Sequence, residues 1–194
     1  MQKKGVEIFY PSSHTAWLDA WLETNHASSQ AVWLVYYNKR SAKKSITWSQ
    51  AVDVALCFGW IDSKKIKIDQ ETSQQFFSKR KPNSTWSKIN KGKVGQLIER
   101  GLMSEAGYKS IEIAKLNGSW TILDEVEDLV IPKDLDAKFK AKPNSKDFFL
   151  SLSKSVRKSI LQWLKFAKRE ETREKRVTQI VELAFQKQKP NHLQ

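Results

Sequence analysis

The sequence predicts an α+β fold. A small antiparallel sheet of about three strands packs on helices, and a helical C-terminal portion follows and ends in a helix hairpin. Three observations carry this. Short β-branched and aromatic runs bounded by turn formers occur before residue 80. After it, apolar residues recur at helical spacing, opened by Ser or Pro and closed by Gly or Asn. The chain is 40% apolar and 11% aromatic with eight tryptophans, which excludes disorder and supports a real core. The 194 residues fit an α+β domain over 1–118 and a helical region over 132–187 packed on it.

The elements follow in order. Ser13 or Thr15 can cap a first helix whose wide apolar face is Ala16, Trp17, Leu18, Ala20, Trp21 and Leu22, with Asn25 at its end. The run AVWLVYY predicts a strand over 32–37, apolar on both faces and therefore central. After a basic loop, NKRSAKKSI (38–46), Thr47 and Gln50 form a capping box in which each side chain accepts the other's backbone N–H. Ala51, Val54, Ala55 and Phe58 line that helix, and Gly59 suits its left-handed end.

Trp60–Ile68 and Thr72–Lys79 read as a hairpin turning at Asp69-Gln70-Glu71, and Pro82 in KRKPN breaks it. Ser84 or Ser87 caps a helix that Gly92 and Gly95 weaken and Gly101 stops. Ser104 caps the next, which ends at Asn117-Gly118. Residues 119–131 read as an acidic, irregular connection, and Pro132 opens another helix. A short helix near 146–150 precedes two long ones at 154–168 and 170–187. Their apolar faces are Val156, Ile160, Leu161 and Leu164, then Val177, Ile180, Val181 and Ala184.

The net charge of +13 is uneven. Residues 38–93 carry 13 basic and 4 acidic side chains, 138–189 carry 15 and 5, and 94–137 between them carry 4 and 9. Such blocks can steer anionic partners, whether nucleic acid, anionic lipid or phosphorylated metabolites, and an anionic small molecule or acidic protein is the partner expected. A solvated surface is the plainer reading. No apolar run approaches the ~20 residues of a membrane span, and the N-terminus shows no secretion signal. With one cysteine, no internal disulfide forms, and a cytoplasmic location is expected.

Candidate chemistry concentrates in 57–90. Trp60, Asp62, Arg80, Lys81, Ser84, Trp86, Ser87 and Asn90 are the candidate ligand-binding residues. A basic turn there enters a helix start whose free N–H groups, hydroxyls and amide suit an anion or phosphate. Ordinary capping explains the same residues. Asp62 either pairs with Arg80 across the hairpin or anchors a pocket. Trp60 and Trp86 either pack in the core or stack on a base. In the C-terminal helices, Lys165, Arg169, Arg173 and Arg176 can track phosphates, although the interleaved glutamates pair with them, as Glu171 can with Lys175. Cys57 reads as a core residue, and His14, His26 and His192 sit apart from it, so neither a nucleophile pair nor a zinc site is expected. No phosphate-loop, dinucleotide or hydrolase motif occurs, and no cofactor is expected.

The runs ALCFGWIDS (55–63) and KRKPNSTWSKIN (79–90), Gly101-Leu102-Met103, and AKREETREKR (167–176) resemble the YdeI/OmpD-associated family, also labelled bacteriocin-protection proteins. The resemblance extends over roughly residues 7–187. It implies a bacterial or archaeal protein linked to envelope stress, bacteriocin tolerance and an outer-membrane porin, sometimes periplasmic. It carries over no catalytic residues. The expectation is a non-enzymatic stress-related protein that binds an anionic small molecule or acidic partner near Arg80–Asn90. Nucleic-acid binding through both basic blocks is the alternative, and an enzyme of unknown reaction is the third.

Overall fold

A computed structural model describes residues 6–11, 13–17, 21–38, 41–43 and 45–189. Leu18 and Ala20 of the first helix's expected face, Lys39, Arg40 and Lys44 of the basic loop, and His192 lie outside them. The chain divides into two compact units, Met1–Thr121 and Ile122–Gln194.

The first unit holds a four-stranded sheet in the order β1-β2-β4-β3. Strand β1 (Glu7–Phe9) runs parallel to β2 (Ala31–Tyr37), whereas β4 (Thr72–Lys79) is antiparallel to both β2 and β3 (Trp60–Lys67). The expected three-stranded antiparallel sheet is therefore corrected to a mixed one. Three residues, EIF, are too short to show alternation, and only the Ile8↔Trp33 register makes them a strand.

The central place of β2 is as its sequence predicts. Val32, Leu34 and Tyr36 join the main core, and Trp33 and Val35 on the other face are also buried. The hairpin turn is built by Asp69, whose carboxylate accepts from the Glu71 and Thr72 N–H groups and the Thr72 hydroxyl, each at 2.7 Å. These bonds, the Thr72 hydroxyl's first, hold the Asp69 carboxyl below its ordinary range.

Short helices α1 (His14–Trp17) and α2 (Glu23–Asn25) precede β2, and the Ser13 hydroxyl accepts the Ala16 N–H at 3.1 Å. Helix α3 (Trp48–Cys57) starts at the expected capping box. Thr47 Oγ1 accepts from Gln50 N at 3.3 Å, and Gln50 Oε1 accepts from Thr47 N at 3.0 Å. Tryptophans bind α3 to the sheet. Trp17 donates its indole N–H to the Ala51 carbonyl at 3.1 Å and stacks on Trp21 at 5.4 Å, and Trp21 meets Trp60 edge-on at 5.4 Å.

Helix α4 (Lys88–Glu99) is capped by Ser87, and α5 (Glu105–Leu116) by Ser104. Gly92 and Gly95 lie in α4 where an added Cβ meets nothing within 4 Å. Gly95→Ala is expected to raise stability by about 0.5–1 kcal/mol, because it restricts the unfolded chain and clashes with nothing. A urea midpoint unchanged or lowered in this variant would contradict that.

Among its described residues the second unit has helices, joined by short turns, and no strand. It contains α6 (Asp124–Glu127), α7 (Lys133–Lys140), α8 (Ser145–Ser151), α9 (Lys154–Lys165) and α10 (Glu170–Phe185). Helix α6 falls where the sequence suggested only an irregular connection. Helices α9 and α10 touch as a hairpin would, but α10 packs more extensively on α7 and α8. Of the predicted faces, Ile160, Leu161, Leu164, Val177, Ile180, Val181 and Ala184 are buried, with Leu135, Phe139 and Phe149 among them, and Val156 packs against them half-buried.

Arg173 grips Asp134 with two N–H groups, Nε at 2.5 Å and Nη2 at 3.0 Å, which holds the Asp134 carboxyl below its ordinary range. A depressed carboxylate stabilises the fold above its unfolded pKa of about 3.8, and that contribution disappears as pH falls through the folded value. Asp134→Asn is expected to lower stability at pH 7 by up to about 1 kcal/mol, since the side chain is 42% exposed. The gap to the parent protein should close in thermal melts as pH falls through 4 and below. A gap that is constant with pH would show that the pair contributes nothing.

Candidate functional site

Helix α3 and strand β3 meet at a turn that also seats α5. Gly59 ends α3 with φ +69°, its N–H bonding the Leu56 carbonyl at 3.1 Å. The Cys57 carbonyl accepts from both Ser104 N at 3.1 Å and Ser104 Oγ at 2.6 Å, so the start of α5 is fastened to the end of α3. The approach is close enough that only glycine fits. A Cβ on Gly107 would lie 2.2 Å from the Cys57 carbonyl oxygen, and one on Gly59 would lie 2.9 Å from that of Ala106. The Gly59 carbonyl then accepts from Arg80 N at 2.9 Å, which brings the basic end of β4 to the same turn.

A cavity of about 270 Å³ results between these pieces. Lys79, Arg80 and Lys81 line it from the end of β4, and Lys109 and Ser110 from α5. Phe58, Trp60, Pro82 and Ile113 supply apolar wall, and His26 packs on Phe58 at 4.9 Å between ring centres. Its lining contains no carboxylate.

Arg80 is the distinctive member. Its guanidinium lies 3.6 Å above the Trp86 ring and donates Nη1–H to the Thr85 carbonyl at 2.9 Å. Its Nε and Nη2 are buried with no hydrogen-bond partner in the protein, and the Ser110 hydroxyl is buried and unpartnered as well. Burial pushes the Arg80 guanidinium down to about 10, partly offset by the charge of Asp62. Lys79 is already engaged, its Nζ donating to the Ala27 carbonyl at 2.6 Å.

The sequence-predicted residues divide. Trp60, Arg80 and Lys81 line the cavity; Asp62, Ser84, Trp86, Ser87 and Asn90 do not. The expected Asp62–Arg80 ion pair is corrected. The Asp62 carboxylate accepts instead from Trp48 Nε1 and Gln75 Nε2, both at 3.0 Å, and reaches Arg80 only through its longer-range field. Ser87 takes the Asn90 N–H at 3.2 Å as an ordinary cap, and the Ser84 N–H closes a turn on the Lys81 carbonyl at 2.9 Å. Trp60 and Trp86 are fully buried, so neither offers a ring face to a base.

Lys109, Ser110 and Ile113 were not singled out from the sequence. The available signal was Gly107, a glycine in the first turn of the helix that Ser104 caps, where a missing side chain allows close backbone approach. Cys57 is buried and its thiol is pushed up to about 11, chiefly by that burial, as a core cysteine should be. Among the described residues no group of three or more His, Cys, Asp or Glu could hold a metal.

The second basic block is largely engaged within its own unit. Lys165 pairs with Glu125 at 2.9 Å, and Arg173 is held by Asp134. Arg176 stacks on Trp163 at 4.6 Å and donates to the Trp163 carbonyl. Lys175 pairs with Glu171 at 2.7 Å, as their spacing predicts. Arg169 precedes α10 and is exposed.

Two family models match different parts of the chain. Residues 9–110 match the one described as Domain of unknown function (DUF8412). Residues 128–187 match the one described as Bacteriocin-protection, YdeI or OmpD-Associated. The YdeI/OmpD-associated likeness is thus matched over the C-terminal region, and the runs at 55–63 and 79–90 fall within the other match. No curated protein and no solved structure matches the chain. No helix among the described residues is long and apolar enough to cross a membrane.

Proposed function

Because this chain belongs to the family described as Domain of unknown function (DUF8412), whose match encloses every cation of the Arg80 cavity, we propose that the N-terminal unit is a binding module for a small anion. One observation carries the reading. A cavity lined by Arg80, Lys81 and Lys109 and by no carboxylate adjoins a guanidinium with two buried, unpartnered N–H groups. A buried cation without an acceptor is costly, and an anion supplies both the charge and the acceptors.

The reading is one of binding: Cys57 is buried in the core with its thiol raised and does not line the cavity, so it supplies no nucleophile there. Its free thiol suits the cytoplasm, which cell fractionation would test. A bacteriocin-protection role rests on the description of the C-terminal match. Nucleic-acid binding has less support, because Lys165, Arg173 and Arg176 are engaged within their own unit.

The test is an amide-resolved NMR titration of the full chain at low ionic strength with acetate, inorganic phosphate and benzoate. Shifts are expected at Gly59, Arg80 and Ser110, with affinity falling about ten-fold in Lys109→Ala, which removes an exposed cation. Shifts spread over surface lysines and indifferent to that variant would sink the reading.

A further inference from the structure

We propose that the anion is an organic carboxylate with an apolar body about the size of a substituted ring, rather than a bare inorganic anion or a polyphosphate. This rests on the anion-binding reading above and adds the class of ligand.

The first argument is a comparison within the molecule. Arg173 uses its Nε and Nη2 edge to hold the Asp134 carboxylate by two parallel bonds. Arg80 leaves the same Nε and Nη2 edge without a partner, while its Nη1 is fixed on the Thr85 carbonyl and its face on Trp86. The contacts of Nη1 and the face fix the plane of this edge, and an Nε–Nη2 edge matches two oxygens in one plane, which is what a carboxylate presents. Both atoms are sealed by neighbouring side chains, so a carboxylate reaches the edge only as one of these yields, and it then replaces two unpartnered N–H groups with a bidentate pair.

The second argument is the wall. Phe58, Pro82 and Ile113 line the same cavity as Arg80. Acetate and phosphate leave that surface uncovered, whereas a ring or short acyl chain covers it and adds the free energy of removing it from water. Size agrees. A cavity of about 150 Å³ admits benzene, and this one measures about 270 Å³. A polyphosphate would call on many free cations, and Lys79 is already held by the Ala27 carbonyl.

The experiment is calorimetric titration of the full chain with benzoate, acetate and inorganic phosphate at one ionic strength. Benzoate is expected to bind at least about ten-fold more tightly than either of the others. Ile113→Ser should remove most of that advantage and leave acetate unchanged. Arg80→Lys keeps the charge, loses the fork and should weaken benzoate about ten-fold. Each variant's fold is checked by its amide spectrum, and either variant alone reads the proposal. Acetate or phosphate binding as well as benzoate overturns the ligand class while the anion reading stands. Benzoate binding that ignores both variants overturns the class as well, because the ligand then sits elsewhere. Failure of all three anions to bind overturns both.

Discussion

Gly107→Ala is expected to cost the N-terminal unit about 3 kcal/mol, the upper end of what overpacking usually costs. The added methyl group would lie 2.2 Å from the Cys57 carbonyl oxygen and 2.9 Å from its carbonyl carbon. Backbone cannot rotate away as a side chain does. That oxygen also accepts both Ser104 bonds, so separating α5 from α3 to make room breaks the two bonds that fasten the α5 cap residue to Cys57 as well. In an unhindered helix the same substitution stabilises, and Gly95→Ala serves as that control. Urea denaturation followed by tryptophan fluorescence decides between them. If both glycines respond with a gain, the close approach of α5 to Cys57 is wrong, and the cavity that depends on it goes too.

Trp60→Ala is expected to lower stability by about 3–5 kcal/mol, the range for deleting a large buried aromatic. Trp60 is fully buried, meets Trp21 at 5.4 Å and forms wall of the Arg80 cavity. Truncation leaves a void beside a rigid aromatic cluster that cannot collapse into it. Trp60→Phe should cost far less, about 1.5 kcal/mol or below, because the indole N–H it removes is buried with no hydrogen-bond partner. The ratio of the two losses is the measurement. A Phe variant as unstable as the Ala variant would show that the indole N–H has a partner after all.

Much of the local structure was legible because its causes act over a few residues. The Thr47–Gln50 box, the caps at Ser87 and Ser104, and the Glu171–Lys175 pair all form as their spacing predicts. Strand β1 was not legible, because three residues carry no period and its partner lies more than twenty residues on. Asp62 was assigned to the wrong partner for a related reason. Sequence brings Arg80 near it across the hairpin, but the irregular register between Asp62 and Lys65 accompanies bonds to Trp48 and Gln75 instead. Arg80 and Lys81 were found by charge, whereas Lys109 and Ser110 were missed because they reach the cavity only through the docking of α5.

By itself, then, the sequence determined the α+β class, the central strand, most helix starts and the basic turn at Arg80 and Lys81 that follows the hairpin. Propensity, capping and hydrophobic period operate within one or two turns of chain. Only the tertiary structure decided which cations face one another, which tryptophans are sealed from ligands, and which N–H groups of Arg80 lack a partner. Those depend on how closely two backbones approach, and here that distance is set by the missing side chains of Gly59 and Gly107.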